Sequence, residues 1–124
     1  MVYSYSMGKI SKLQDIETYQ KSLELAKNVF DLCKTDGFKS EYALVDQFKK
    51  CCVSVPANIA EGYGRHTKAD FGHFLSIVLG SCNEMIALLD LASLIIPSIN
   101  LENLENEYNI LGKRVFTFRK SILV

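Results

Sequence analysis

Apolar residues in this chain recur at alternating intervals of three and four along four separate runs, and that spacing dictates helix. The last run is the clearest. Leu101, Leu104, Tyr108, Leu111, Val115, Phe118 and Ile122 form an unbroken seam, beginning just after Asn100. Its first half carries Glu102, Glu105 and Glu107, and its second half carries Lys113, Arg114, Arg119 and Lys120. That order complements the dipole of a helix running from 101 to 122.

Three earlier runs repeat the pattern. Ile16, Tyr19, Leu23, Ala26, Phe30 and Cys33 predict a first helix, with Asp15 as its expected N-cap and Thr35-Asp36-Gly37 as its closing turn. Val45, Phe48, Cys52, Val55 and Ile59 predict a second, capped by Ser40. Pro56 falls inside it, removes one backbone donor and crowds the Cys52 carbonyl, so a bend is expected there. Gly62 is placed to end this helix in a left-handed conformation. The third helix opens at Thr67-Lys68-Ala69-Asp70, a cap-box-like arrangement, and runs until Pro97 stops it. Phe71, Phe74, Leu75, Val78, Cys82, Met85, Ile86 and Leu89 make one broad face of it. Ile77, Glu84, Leu88, Leu91 and Ile95 make a second, largely apolar one. No stretch reads as a strand, and the connections are short. An all-α, up-down-up-down antiparallel four-helix bundle over residues 15–124 is therefore expected, preceded by an N-terminal tail at 1–14.

Composition narrows the functional classes. Apolar residues make up 48% of the 124 and charged residues 23%, proportions of a folded domain rather than a disordered one. A formal net charge of zero argues against partners that demand a strongly basic protein. The first residues lack the apolar core of a signal peptide, and the apolar run Met85–Ile96 is shorter than the ~20 residues of a bilayer span. A cytoplasmic protein with no membrane partner is expected. Cys33, Cys51, Cys52 and Cys82 then read as reduced core residues. Adjacent Cys51 and Cys52 point about 100° apart on a helix, poor geometry for joint metal ligation.

Two surfaces stand out. Gly72, Ser76 and Gly80 lie four residues apart on the third helix, where small side chains admit a close helix neighbour. Packing within one bundle and contact between subunits both suit that line. The second apolar face favours a homo-oligomer interface made by Gly72, Ser76, Gly80, Ile77, Leu88 and Leu91. The other surface is electrostatic. An up-down bundle gathers Lys9, Lys12, Arg65, Lys68, Lys113, Arg114, Arg119 and Lys120 at one pole against Asp15, Glu17, Glu61 and Asp70. Tyr63, Arg65, His66, Lys68, Lys113, Arg114, Arg119 and Lys120 are the expected anion or nucleic-acid contacts, although cations near helix ends are common for dipole reasons alone. His66 and His73 are seven apart, whereas helical metal pairs sit three or four apart. Gly62 and Gly64 lack the preceding strand of a dinucleotide loop. No nucleophile–base–orienter set is visible. No catalytic, cofactor or metal residues are expected.

The segments DIETYQKSLELAKNVF, YALVDQFKKCCVSVPANIAEGYGR and DFGHFLSIVLGS, covering most of residues 15 to 82, carry a family resemblance. The most specific parts are Pro-Ala-Asn-Ile-Ala-Glu-Gly from Pro56 to Gly62, the Arg65 that follows, and Phe74-Leu75 ahead of Gly80-Ser81. The chain resembles the bacterial four-helix bundle proteins first noticed as reading frames in intervening sequences of 23S ribosomal RNA genes. That resemblance implies a pentameric ring without enzymatic activity. It also implies distant kinship with the accessory variability determinants of diversity-generating retroelements, which partner a reverse transcriptase and bind nucleic acid. The chain departs from its relatives at Lys49-Lys50-Cys51-Cys52, where they commonly carry two arginines followed by alanines, and in being neutral. An oligomeric binding or adaptor module contacting RNA or DNA through its basic pole is the leading expectation. The alternative is a structural or protein-interaction scaffold with no nucleic-acid partner.

Overall fold

The computed structural model describes residues 3–5 and 8–124. Four helices account for most of it: α1 (Glu17–Cys33), α2 (Tyr42–Tyr63), α3 (Lys68–Ile95) and α4 (Glu102–Leu123). Each packs on its neighbour in sequence, and α1 closes the bundle against α4 more sparsely. The result is the up-down-up-down arrangement that the short links dictate.

The N-terminal segment differs from the expected tail. Strands β1 (Tyr3–Tyr5) and β2 (Gly8–Ile10) pair antiparallel, with Tyr3 opposite Ile10, and Leu13–Asp15 forms a single 3-10 turn. Residues 1, 2, 6 and 7 lie outside the described residues. Ile10 is fully buried in the core, which ties this segment to the bundle. Asp15 serves the 3-10 turn rather than capping α1: its Oδ2 accepts from the amides of Ser11 and Lys12 at 2.9 and 3.1 Å. Those amides hold its carboxyl below the usual range. The residue preceding α1 is Ile16, which offers no side-chain cap.

The buried stripe of α1 is Thr18, Ser22, Leu25, Val29 and Cys33, one position round from the expected line. Leu23 is exposed, while Tyr19, Ala26 and Phe30 pack at the margin of the core. Two polar residues on the inward line hid it from an apolar count. Lys21 Nζ reaches Glu107 Oε2 at 2.8 Å and thereby bridges α1 to α4.

In α2 the inward residues Leu44, Phe48, Cys51, Cys52, Val55, Pro56 and Ile59 broaden the expected stripe. The residue before the helix is Glu41 rather than Ser40, again without a side-chain cap. Helix continues through the buried Pro56. Close to it, Asn58 Nδ2 donates to the Ser54 carbonyl at 2.7 Å. Ser54 Oγ lies 2.6 Å from the Cys51 carbonyl and 2.8 Å from Ser81 Oγ of α3. These side chains add hydrogen bonds to the helix beside the proline and tie it to α3.

Gly62 does not terminate α2. It is buried inside the helix, where an added Cβ would stand 2.7 Å from the Cβ of Phe74 and 3.0 Å from Phe71 Cδ1. Its role is close approach of α2 and α3. The left-handed residue is instead His66, with φ of 67°, just before Thr67 caps α3 by accepting from the Asp70 amide at 3.1 Å. Asn100 Oδ1 receives the Glu102 amide at 3.0 Å and starts α4.

The α3 face from Phe71 to Ala92 is core, and the α4 seam from Tyr108 to Ile122 meets it as expected. By length and composition α3 could cross a membrane, with mean hydropathy 1.6 over an 18-residue window. Its inward line is already committed to the bundle, and Glu84 and Asp90 are exposed on its outer side.

Two substitutions check this packing. Gly62→Ala is expected to lower stability by about 1–3 kcal/mol in urea unfolding, because Phe71 and Phe74 must yield to the new methyl. Tyr108 is 1% exposed and its hydroxyl has no hydrogen-bond partner. Tyr108→Phe should therefore be neutral or stabilising in the same assay.

Candidate functional site

The cations expected at one pole take up separate local arrangements. Arg65 folds back onto its own helix end, with Nη2 2.8 Å from Glu61 Oε1 and its guanidinium 5.0 Å from the centre of the Phe74 ring. Lys68 Nζ donates to the Val124 carbonyl at 3.1 Å. Arg119 Nε donates to the Gly72 carbonyl at 2.7 Å, stitching α4 to α3. Tyr63 is half-buried, its ring edge-on to Phe71 with centroids 6.2 Å apart. His66 is exposed at the reversal. Lys120 lies over the Phe116 ring at 5.6 Å. Lys113 and Arg114 sit farther along α4, both exposed, beside the start of α1.

The small residues of α3 also separate. Gly72 faces α4, where an added Cβ would fall 2.7 Å from Leu123 Cδ2. Its smallness serves the α3–α4 contact inside one bundle, which corrects its assignment to a subunit interface. Gly80, by contrast, faces open space, and Ser76 is exposed. The change of side follows from helical rotation, since a spacing of four residues advances 40° at each step.

The outer surface of α3 is mixed, with apolar side chains exposed beside Glu84 and Asp90. Ile77, Leu91 and Ile95 are 39–47% exposed, Leu94 is 80% exposed and Leu88 is half-buried. Val53 of α2 is also exposed, at 48%, one turn from Lys49, whose Nζ lies over the Phe30 ring of α1, so it belongs to a different surface. Leu94 and Val53 escaped the sequence reasoning. Leu94 stands three residues after Leu91, a visible signal, whereas the exposure of Val53 depends on how α2 is set in the bundle.

The four cysteines are free and buried. Among the described residues, no set of His, Cys, Asp or Glu has a metal-binding arrangement. Burial pushes the Cys52 and Cys82 thiols up to about 11, and raises Cys51 as well, with Glu84 adding to the shift. Cys51 Sγ also donates to the Ser81 carbonyl at 3.2 Å. Such thiols are poor nucleophiles because little thiolate forms. Folded protein should resist a thiol-reactive disulfide reagent at pH 8 and react only after unfolding. The same shifts set a pH limit. Above the ordinary value of 9.0 the unfolded chain loses thiol protons that the native state keeps until about 11, so denaturation midpoints should fall through that window.

No curated protein matches the chain. A family profile does, over residues 14–116, taking in all of α1, α2 and α3 and most of α4. Four antiparallel helices, the tight Pro56–Arg65 helix end and that match agree: the chain belongs to the 23S rRNA-intervening sequence protein family.

Proposed function

We propose that the protein is a non-catalytic, homo-oligomeric scaffold of the cytoplasm, its subunits joined along the outer face of α3. One observation carries this reading: the exposed Ile77, Leu91, Leu94 and Ile95 lie on a helix whose inner face is already buried. A helix with a completed core contact and a second apolar face is suited to another partner. A second copy of the chain is the simplest occupant, and Gly80 leaves room there for close approach. The five-subunit ring implied by the resemblance is the assembly we assign. Four buried, unpaired cysteines suit a reducing compartment.

Contact with RNA or DNA is the second reading. It is supported by the exposed cations Lys113, Arg114 and Lys120, which a ring of parallel subunits would repeat around one rim. The internal contacts of Arg65, Lys68 and Arg119 make them less available to phosphates, which favours the scaffold.

Light scattering of the wild-type protein should give a particle several times the 14.0 kDa chain, and Leu91→Glu should reduce it to the monomer mass. A 14.0 kDa wild-type particle at micromolar concentration would refute the assembly. Filter retention of RNA or DNA at 50 mM salt, lost on reversing Lys113, Arg114 and Lys120, would instead establish the nucleic-acid reading.

A further inference from the structure

The sparse seam between α1 and α4 contains a half-open groove of about 430 Å³. Its apolar wall comes from Ile16, Ile110 and the edge of the buried Phe118. Ile110 is 51% exposed and offers an apolar surface at the groove. Lys113 and Arg114 stand on the α4 side, and Glu17 and Thr18 on the α1 side.

Thr18 is 5% exposed, yet its Oγ1 has no hydrogen-bond partner. Buried hydroxyls are ordinarily paired, so this one is available to an incoming acceptor. Thr18 also occupies the first turn of α1, and Ile16 supplies no side-chain cap. The amides of that turn add positive potential without an acceptor from a capping side chain. Two cations, one carboxylate and an uncapped helix start leave the groove with a small positive excess beside an apolar floor.

We infer that this groove binds a small monoanion, specifically a carboxylate carried on an apolar body. The carboxylate is held by Arg114, Lys113 and the start of α1, and the apolar portion covers Ile16 and Ile110. Arg is suited to the carboxylate because its guanidinium can make two parallel hydrogen bonds. Glu17 lowers the net positive charge and disfavours polyanions, which separates the site from nucleic-acid binding. The volume falls in the range of small-molecule sites. The groove is lined by the start of α1 and by α4, and shares no residue with the outer α3 face assigned to subunit contact, so the two proposals fail independently.

Sodium octanoate is the probe, titrated calorimetrically into the full chain with octylamine and 1-octanol as controls. Octanoate should bind, and each control should bind at least tenfold more weakly. Arg114→Glu combined with Lys113→Glu should weaken octanoate about tenfold or more without altering the helical circular dichroism, because both side chains are exposed. Thr18→Val should weaken binding while leaving stability unchanged or raised, a separation that simple damage to the fold would not produce. Leu91→Glu should leave the octanoate affinity unchanged. Absence of binding at millimolar octanoate, equal binding of octylamine, or indifference to the Lys113 and Arg114 reversals would overturn the proposal.

Discussion

The contact of Gly62 with Phe71 and Phe74 fixes how α2 turns into α3, and the rest of the bundle is arranged around that pair. A side chain at 62 would push the two helices apart where their linking turn is shortest. With the glycine in place, Phe71 enters the core and stacks edge-on against Phe118 of α4, with ring centroids 5.7 Å apart. The glycine therefore aligns three helices through one aromatic side chain. His66 completes the reversal at positive φ, a conformation that costs a non-glycine residue on the order of 1–2 kcal/mol. The Thr67 cap and the aromatic packing on either side hold it there.

α3 then becomes the pivot of the molecule. It contacts α2 along one side and α4 along the other, while α1 reaches only α2 and the sparse α4 seam. This unequal sharing explains why the two unoccupied surfaces differ. On the α2–α3 side the helices are close, and what remains outside is an α3 face with exposed apolar side chains suited to another helix. On the α1–α4 side they are looser, and what remains is a recess with charge at its rim. The cations expected to act together are spent differently: Arg119 holds a backbone carbonyl, Arg65 a neighbouring carboxylate, and Arg114 borders the recess.

The four-helix architecture was legible because its signals are local and repeated. Three-four spacing found all four helices, Pro97 marked the end of α3, and Thr67 marked its start. What failed did so for physical reasons. The buried line of α1 includes Thr18 and Ser22, so an apolar stripe one position away looked better. Gly62 and Gly72 were assigned by conformation and spacing, whereas their actual requirement is the absence of a Cβ opposite Phe74 and Leu123. That requirement belongs to a pair of distant residues and leaves no mark in a local window. The cations named from the sequence have partners, such as the Gly72 carbonyl for Arg119, that are set by tertiary packing. Ile110 and Thr18 fall together only once α1 and α4 are closed.

The thin α1–α4 seam has a consequence for motion. Every other helix pair joins neighbours in sequence, so those contacts form with short loops and low entropic cost. Closure of the first helix on the last spans almost the whole chain and is secured by few groups, Lys21 with Glu107 among them. This seam should zip last during folding and breathe first in the native state, with amides along the first turn of α1 exchanging faster than those facing α3. A recess on such a hinge line can admit and release its contents by small openings of α1, without disturbing the α2–α3 unit that the oligomer would be built on.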